Sequence, residues 1–394
     1  MSTSQTKVLH LTMDYPNPYR PKNTPAVKNL IAELNHIDHQ VIALRRTSNV
    51  FKTQTVTIDD NKVAIRFFGL PFGLLHSISM ALLAYRIKRL VMKKGIEFDV
   101  IHAHKFAFEG LAGYFLSLQT KKPFMVSVRA DSDKRLISFK PMLQPLLAKV
   151  AKRCKHIFYV SAWYQKELEV RFNLPSEKQS SLPNFVHQAP KSAPKTADSK
   201  RLVTVLDLNM YKKKGLVDLL YAISCLVITH PTLTLDIYGD GFSHRVEEVK
   251  QLIQKLQLTE QVTLKGKVDN TQLVKALPDY AALILASHSE TFGMVYVEAL
   301  FAGIGIGYSK GTGIDGFIDD LNVGVGFDSN NSAHIQLAII ELLQRQREFK
   351  VWISENKVLL QQRFSPRAYC QRYYQILDNI KKSETQQYAQ LPSR

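Results

Sequence analysis

Short runs of β-branched and apolar residues recur along this chain of 394 residues, each followed by a longer stretch with helical spacing. That alternation confines the fold to βα units on a largely parallel sheet. In the first half the strand-like runs lie at residues 8–11, 41–44, 63–68, 100–102, 124–128 and 156–160. The pattern stops at QAPKSAPKTADSK, residues 188–200, which is rich in Pro, Ala, Ser and Lys and holds no large apolar residue. This segment reads as an interdomain linker. Strands at 202–205, 233–238, 262–264 and 281–286 then alternate with helices at 216–229, 245–256 and 271–277. The expectation is two doubly wound α/β domains, over 1–187 and 201–364. A helix over 365–382, opened by Ser-Pro and packing back toward the N-terminal domain, and a loose tail over 383–394 complete the chain.

Charge narrows the class of partner. The chain carries 52 Lys+Arg against 34 Asp+Glu, a formal +18, which points to nucleic acid, an acidic membrane surface or a phosphorylated ligand. Residues 1–190 hold 28 Lys+Arg and 13 Asp+Glu, a net +15, and residues 191–394 hold 24 and 21, a net +3. The excess therefore belongs to the N-terminal half. No aromatic-rich RNA motif or recognition-helix pattern accompanies it, so nucleic acid is not expected. Segments 70–94 and 140–155 instead combine apolar and basic residues at helical spacing. They suit either sheet-covering helices with a charged outer face or helices that lie on anionic lipid. Cys154, Cys225 and Cys370 lack CxxC or Cys/His ligand spacing, which argues against a disulfide framework or structural zinc and for a reducing cytoplasm. Neither a secretory signal nor an apolar run of about 18 residues is expected.

The stretch AALILASHSETFGMVYVEALFAG, residues 281–303, carries the most chemistry. An apolar strand leads into a polar turn with Glu290, a Thr-Phe-Gly corner and a helix bearing Glu298. The first N–H groups of such a helix point at whatever sits over the strand's C-terminal edge, a place for an anion or a polyhydroxylated ligand. Gly293 permits close backbone approach. Vicinal hydroxyls can donate to the two carboxylates, a pattern that describes a nucleotide-sugar site. A helix-capping Glu290 and a solvated or core-paired Glu298 are the alternative. In YKKKG, Lys214 beside a glycine at a helix start offers phosphate a point charge and free amides together, or forms a solvated basic turn.

This stretch resembles the E-x7-E signature of the retaining glycosyltransferase family 4. Other segments resemble that family in order: DVIHAH (99–104), Val160-Ser161, LPNFVH (182–187), KKKGLVDLLYAI, and LDIYGDGF (235–242). The resemblance implies the GT-B fold, two Rossmann-like domains facing each other across a cleft. It also implies donor contacts at Glu290, Phe292, Gly293, Ser289 and Gly241, with Glu298 on the ribose and Lys214 on the diphosphate. The sequence departs from the pattern at Leu206-Asp207-Leu208, where the family places an arginine, so Lys212 or Lys213 is the candidate second cation. It departs again at the proline-rich loop 16–27, which lacks the family's glycines. Arg129 stands in place of a His-Gly pair and joins His104, at a strand end, as a candidate catalytic residue. Asp131 and Asp133 are expected to pair with Lys134 and Arg135. The turn GTGIDG, 311–316, borders the donor and lacks the lysine of a P-loop.

The expected activity is transfer of a sugar from a nucleoside-diphosphate sugar to a glycan or lipid-linked acceptor, in cell-surface polysaccharide or glycolipid synthesis. Front-face retention is expected, the diphosphate itself serving as base and no metal or other cofactor being needed. The chain would act in the cytoplasm or peripherally on the inner membrane face, through the N-terminal domain. A sugar-nucleotide epimerase and a non-catalytic nucleotide-sugar scaffold are the alternatives.

Overall fold

A computed structural model describes residues 5–21, 23–187 and 199–389. Most of the expected linker, residues 188–198, and the last five residues, 390–394, lie outside the described residues. The chain forms two compact units. One takes in the described residues of Met1–Val160, Tyr164–Leu182 and Cys370–Arg394, and the other Ser161–Trp163 and Pro183–Tyr369.

In the first unit the order is β1 (Thr6–Thr12), α1 (Ala26–Glu33), β2 (Ile37–Thr47), β3 (Gln54–Asp59), β4 (Lys62–Phe68), α2 (His76–Lys94), β5 (Val100–Ala103), α3 (Glu109–Thr120), β6 (Phe124–Val128), α4 (Ala130–Phe139), α5 (Gln144–Arg153), β7 (Ile157–Tyr159), α6 (Gln165–Phe172) and β8 (Gln179–Ser181). These strands form one sheet in the order β3-β4-β2-β1-β5-β6-β7-β8, parallel except for the β3–β4 hairpin. Crossovers run outward on both sides of β1, so the topological switch lies between β1 and β5. In such sheets ligands bind beyond the carboxyl ends of the strands at that point.

Two basic helical segments start later than their spacing predicts. Pro71–Gly73 forms a separate 3-10 turn and Leu75 is left-handed, so α2 begins at His76. Pro141–Leu143 likewise breaks the second segment ahead of α5; a proline lacks the N–H that a continuous helix needs. In α2, Met80, Leu83, Ala84, Ile87 and Val91 are buried while Ile78, Leu82 and Met92 stay exposed. Sheet packing therefore accounts for only one of its apolar faces.

The second unit contains β9 (Arg201–Val205), α7 (Leu216–Leu226), β10 (Thr234–Tyr238), α8 (Ser243–Lys255), β11 (Val262–Gly266), α9 (Asn270–Ala276), β12 (Ala282–Leu285), α10 (Met294–Ala302), β13 (Gly305–Ser309), β14 (Gly324–Phe327), α11 (Ser332–Gln344), α12 (Gln346–Glu355) and α13 (Lys357–Phe364). Its parallel sheet has the order β11-β10-β9-β12-β13-β14, with the switch between β9 and β12. Successive strand residues serve opposite faces: Leu202, Ala282 and Ile284 join one apolar cluster, and Val203, Leu283 and Leu285 the other. Near-continuous apolar strands follow from that double burial.

The last helix, α14 (Pro366–Ala389), runs past residue 382, where the sequence pattern places its end. KKSETQQYA contains no glycine or proline, and its Lys, Glu, Gln and Ala residues favour helix. Glu384 pairs with Lys155 at 2.6 Å. The tail expected to be loose from 383 is thus helical through 389.

Candidate active site

In the second unit, the loops leaving β9 and β12 meet at the switch point. Gly215, at φ 64°, caps α7 and lies so close to the end of β12 that a methyl carbon there would sit 1.7 Å from the Ala286 carbonyl oxygen. This approach delivers Lys214 to Glu290: their side chains form an ion pair, each about one-fifth to one-quarter exposed. Glu290 is held from behind by the glycine-rich turn. Its N–H donates to Thr312 Oγ1 at 2.6 Å, and its carbonyl accepts from Thr312 Oγ1 and the Gly313 N–H, both at 2.9 Å. The main chain of Glu290 is thereby fixed and its Oε1 accepts from the Thr291 N–H at 3.1 Å, while its ion-pair partner is a flexible lysine, which an anionic ligand can draw away.

The other expected donor residues divide by depth. Gly293 is left-handed at the N-terminus of α10, which begins at Met294, directly after the Thr-Phe-Gly corner. The Phe292 side chain is buried against Phe317 and Phe364, leaving only backbone for a ligand. Glu298 is nearly buried; its Oε1 accepts from Asn270 Nδ2 at 2.8 Å, and desolvation outweighs that bond and raises its pKa. The Ser289 carbonyl accepts from Ser287 Oγ at 3.1 Å. Gly241 lies at the end of β10 against the Leu208–Met210 turn. That turn explains Asp207, whose carboxylate accepts from the Asn209 N–H at 2.9 Å and caps it. Of the other lysines, Lys212 lies over the Tyr211 ring, and the Lys213 carbonyl accepts from the His288 N–H. Thr312 and Asn270 were not anticipated. The glycines around Thr312 signalled the turn, whereas nothing in the sequence ties Asn270 to a residue 28 positions away.

In the first unit the β1/β5 switch holds a second constellation. Lys105 and Asp14 form an ion pair at 2.9 Å, both largely buried. Glu109 Oε1 accepts from the Met13 N–H at 2.7 Å while Oε2 is buried without a partner. The expectation for Asp133 fails: it is fully buried and accepts from the N–H groups of Phe106 (3.3 Å), Ala107 (2.8 Å) and Arg129 (3.2 Å). The start of α4 turns its side chain inward, where backbone donors outnumber side-chain cations.

His104 ends a chain of buried rings. His39 Nε2 lies 2.9 Å from the Leu34 carbonyl, which can only accept, so Nε2 carries the His39 proton. Burial holds all these rings neutral. His39 Nδ1 then accepts from His10 Nε2 (2.9 Å), and His10 Nδ1 accepts from His104 Nε2 (3.0 Å). On this assignment from the network, His104 Nδ1 presents a bare lone pair, buried and unpartnered. His10, His102 and His104 offer ring nitrogens within 4.8 Å of one another, the spacing of a metal ligand set. Both nitrogens of His10 are committed as above, and those of His102 meet Tyr373 Oη (3.0 Å) and Ser127 Oγ (2.8 Å). Only His104 Nδ1 could take a metal without breaking a bond.

Desolvation pushes the Glu109 carboxyl up to about 7 from 4.5, with Lys105 opposing and Asp14 adding to the shift. Between those values the folded state keeps a proton that the unfolded chain has lost, so this group's contribution to stability falls as pH rises from about 4.5 to 7. Glu109→Gln, which can still accept from Met13, is expected to gain stability relative to wild type more at pH 8 than at pH 5. Calorimetry at the two pH values measures this. An equal difference in Tm at both would refute it.

Comparison with known proteins bears on the family and the fold. Residues 26–189 match the model of Glycosyltransferase Family 4, and residues 189–359 that of Glycosyl transferases group 1. The alpha-monoglucosyldiacylglycerol synthase of Acholeplasma laidlawii is 23% identical over 330 residues, covering 77% of this chain and 81% of that protein. Sucrose-phosphate synthase from Thermosynechococcus elongatus superposes with a TM-score of 0.70 at 15% identity, over 96% of this chain and all of that one. Anabaena HepE in complex with UDP gives 0.67 at 16% identity, over 95% of this chain and all of that one. The chain is a glycosyltransferase of the GT-B type, a family 4 domain followed by a group 1 domain.

Proposed function

We propose that the chain transfers a sugar from a nucleoside-diphosphate sugar, with retention at the anomeric carbon, to a glycan or lipid-linked acceptor in cell-surface polysaccharide or glycolipid synthesis. The observation that carries this reading is the Lys214–Glu290 pair at the β9/β12 switch. Lys214 turns to the diphosphate and frees Glu290 for the sugar's hydroxyls. Glu298 with Asn270 takes the ribose, and the amides around Phe292 and Gly293, with Ser289, Lys213 and Gly241, line the donor. As the glycosidic bond breaks, negative charge grows on the leaving diphosphate, and a cation already in place lowers that barrier. The diphosphate then accepts the proton of the acceptor hydroxyl on the same face, which gives retention. Support comes from HepE, solved with UDP and with UDP-glucose. The test is acceptor-dependent release of nucleoside diphosphate from a panel of nucleotide sugars, with the product's anomeric configuration read by NMR. Lys214 supplies the neutralising charge, so turnover is expected to survive EDTA; loss on chelation and recovery with a divalent ion would overturn the metal-free part of the reading.

The first unit is read as the acceptor side and the second as the donor side, the first lying peripherally on an anionic membrane at the inner face of the plasma membrane. Phe72, Phe139 and Met142 are 90%, 79% and 83% exposed. The Pro71–Gly73 turn lies beside Lys140, since a methyl carbon at Gly73 would be 3.3 Å from Lys140 Cε. Phe72 and Leu75 hold left-handed backbone, at φ 54° and 50°, a conformation that costs a bulky residue about 1–3 kcal/mol and persists where function uses it. No helix among the described residues is long and apolar enough to cross a membrane. Inserting two phenylalanines contributes roughly 1.5–3 kcal/mol each. The double variant Phe72→Ser/Phe139→Ser is therefore expected to bind vesicles containing phosphatidylglycerol at least about 100-fold more weakly. Flotation unaffected by the variant or by anionic lipid content would refute the surface.

A further inference from the structure

Arg129 is a buried cation with two unused side-chain donors. It follows β6 and caps α4; only 5% of it is exposed, and its Nε and Nη2 are buried without a hydrogen-bond partner. A guanidinium taken out of water normally recovers the loss by pairing with a carboxylate. Here the nearby carboxylates make their hydrogen bonds elsewhere, Asp14 with Lys105, Asp133 with three backbone N–H groups and Glu109 Oε1 with Met13, and Asp14 meets the Arg129 charge only through space. Its neighbours His102 and His104 are neutral, and the Arg129 charge helps to keep them so. That charge also weighs against a cation among those rings.

A fixed, dry guanidinium with open donors at the carboxyl edge of a parallel sheet is prepared for an anion, because the desolvation of the cation has been met during folding. We infer that Arg129 anchors an anion subsite in the first unit, which takes a carboxylate or phosphate carried by the acceptor. This rests on the reading that the first unit holds the acceptor. An acidic sugar and a lipid-linked phosphate share that chemistry. The bare Nδ1 of His104, just past the end of the adjacent strand β5, adds an acceptor for a hydroxyl of the same ligand.

The test uses Lys214→Ala protein, so that phosphate does not report the donor site. Thermal unfolding is followed with inorganic phosphate, with glucuronate and with uncharged glucose. Phosphate or glucuronate, whichever matches the natural acceptor, is expected to raise Tm by a few degrees, glucose not at all, and Arg129→Gln is expected to abolish the rise. Arg129→Gln is also expected to raise the Tm of the ligand-free protein, since it removes a buried cation whose Nε and Nη2 make no hydrogen bond; Arg129→Lys provides a charged control. Absence of any anion response, or a response that survives Arg129→Gln, overturns the subsite. A ligand-free Tm lowered by Arg129→Gln assigns the arginine a structural role and overturns it as well. UDP-induced stabilisation of otherwise wild-type protein and of the Arg129→Gln variant reports the donor site separately. Absence of any anion response in the Lys214→Ala protein, with UDP stabilisation intact where Lys214 is kept, rejects this inference alone.

Discussion

Glu290→Ala is expected to lower kcat/KM for sugar transfer by on the order of 10³-fold, the scale of removing one preorganised polar group from a reacting centre. The carboxylate sits on a turn held by three hydrogen bonds with Thr312 and Gly313, so removing it leaves those bonds in place and deletes the group proposed to meet the sugar. It also strands Lys214, which then binds nucleoside diphosphate without its internal competitor. UDP affinity is therefore expected to stay level or rise while turnover collapses. That split separates a chemical role from a folding defect, and Glu290→Gln tests whether shape without charge suffices. Initial rates of nucleotide release with acceptor, alongside calorimetric UDP binding, measure both. Activity within about tenfold of wild type would remove Glu290 from the proposed chemistry. Acceptor-independent interconversion of donor isomers would favour an epimerase, and binding without turnover on any acceptor a scaffold.

The largest stability effect is expected at Gly215→Ala. Left-handed backbone costs a non-glycine residue about 1–3 kcal/mol, and crowding against rigid neighbours adds about 1–3 more. Here the obstacle is backbone, the Ala286 carbonyl oxygen at 1.7 Å, which cannot rotate away. The second unit is expected to melt roughly 5–20 °C lower, at about 2–4 °C per kcal/mol for a domain of its size, and Lys214 is displaced from Glu290. Gly266→Ala is the control. Its φ of 72° is similar, but nothing lies within 4 Å of the added methyl, so only the backbone cost remains. Scanning calorimetry of both variants measures the difference, and equal losses would show that the approach to β12 is not tight.

Much of the fold is legible in local periodicity. Strands buried on both faces read as apolar runs, as in Ala282–Leu285, because neighbours in the chain fix which face each side chain takes. Edge elements escape this logic. The residues of β3 are largely exposed and those of β8 half-buried or exposed, so neither carries the apolar signal. Breaks such as Pro71–Gly73 and Pro141–Leu143 are written in proline, yet the periodic apolar residues on either side conceal them.

In the site, Glu290, Gly293 and Lys214 were each visible as residues of the right type beside a strand end or helix start. Which lysine meets the carboxylate was not. Sequence sets Lys214 apart from Lys212 and Lys213 only by the glycine beside it, and it is the left-handed Gly215 against Ala286 that directs it toward a residue 76 positions later. Asp133 shows the opposite case. Its neighbours Lys134 and Arg135 suggest ion pairs, but the rotation of α4 turns it inward to backbone donors.

By itself, the sequence determined that this protein is built of βα units in two domains, that its excess charge lies before the linker, and that a carboxylate-bearing turn follows an apolar strand in the second. Those features depend on residues within a few positions of one another. The tertiary structure alone decided the strand orders that place the switches at β1/β5 and β9/β12, the pairing of Lys214 with Glu290, the chain of rings that leaves His104 Nδ1 bare, and the burial of Arg129 with two open donors. Each of these depends on loops brought together by crossovers, and hydrogen bonds and charges find partners by distance in space, to which spacing along the chain is no guide.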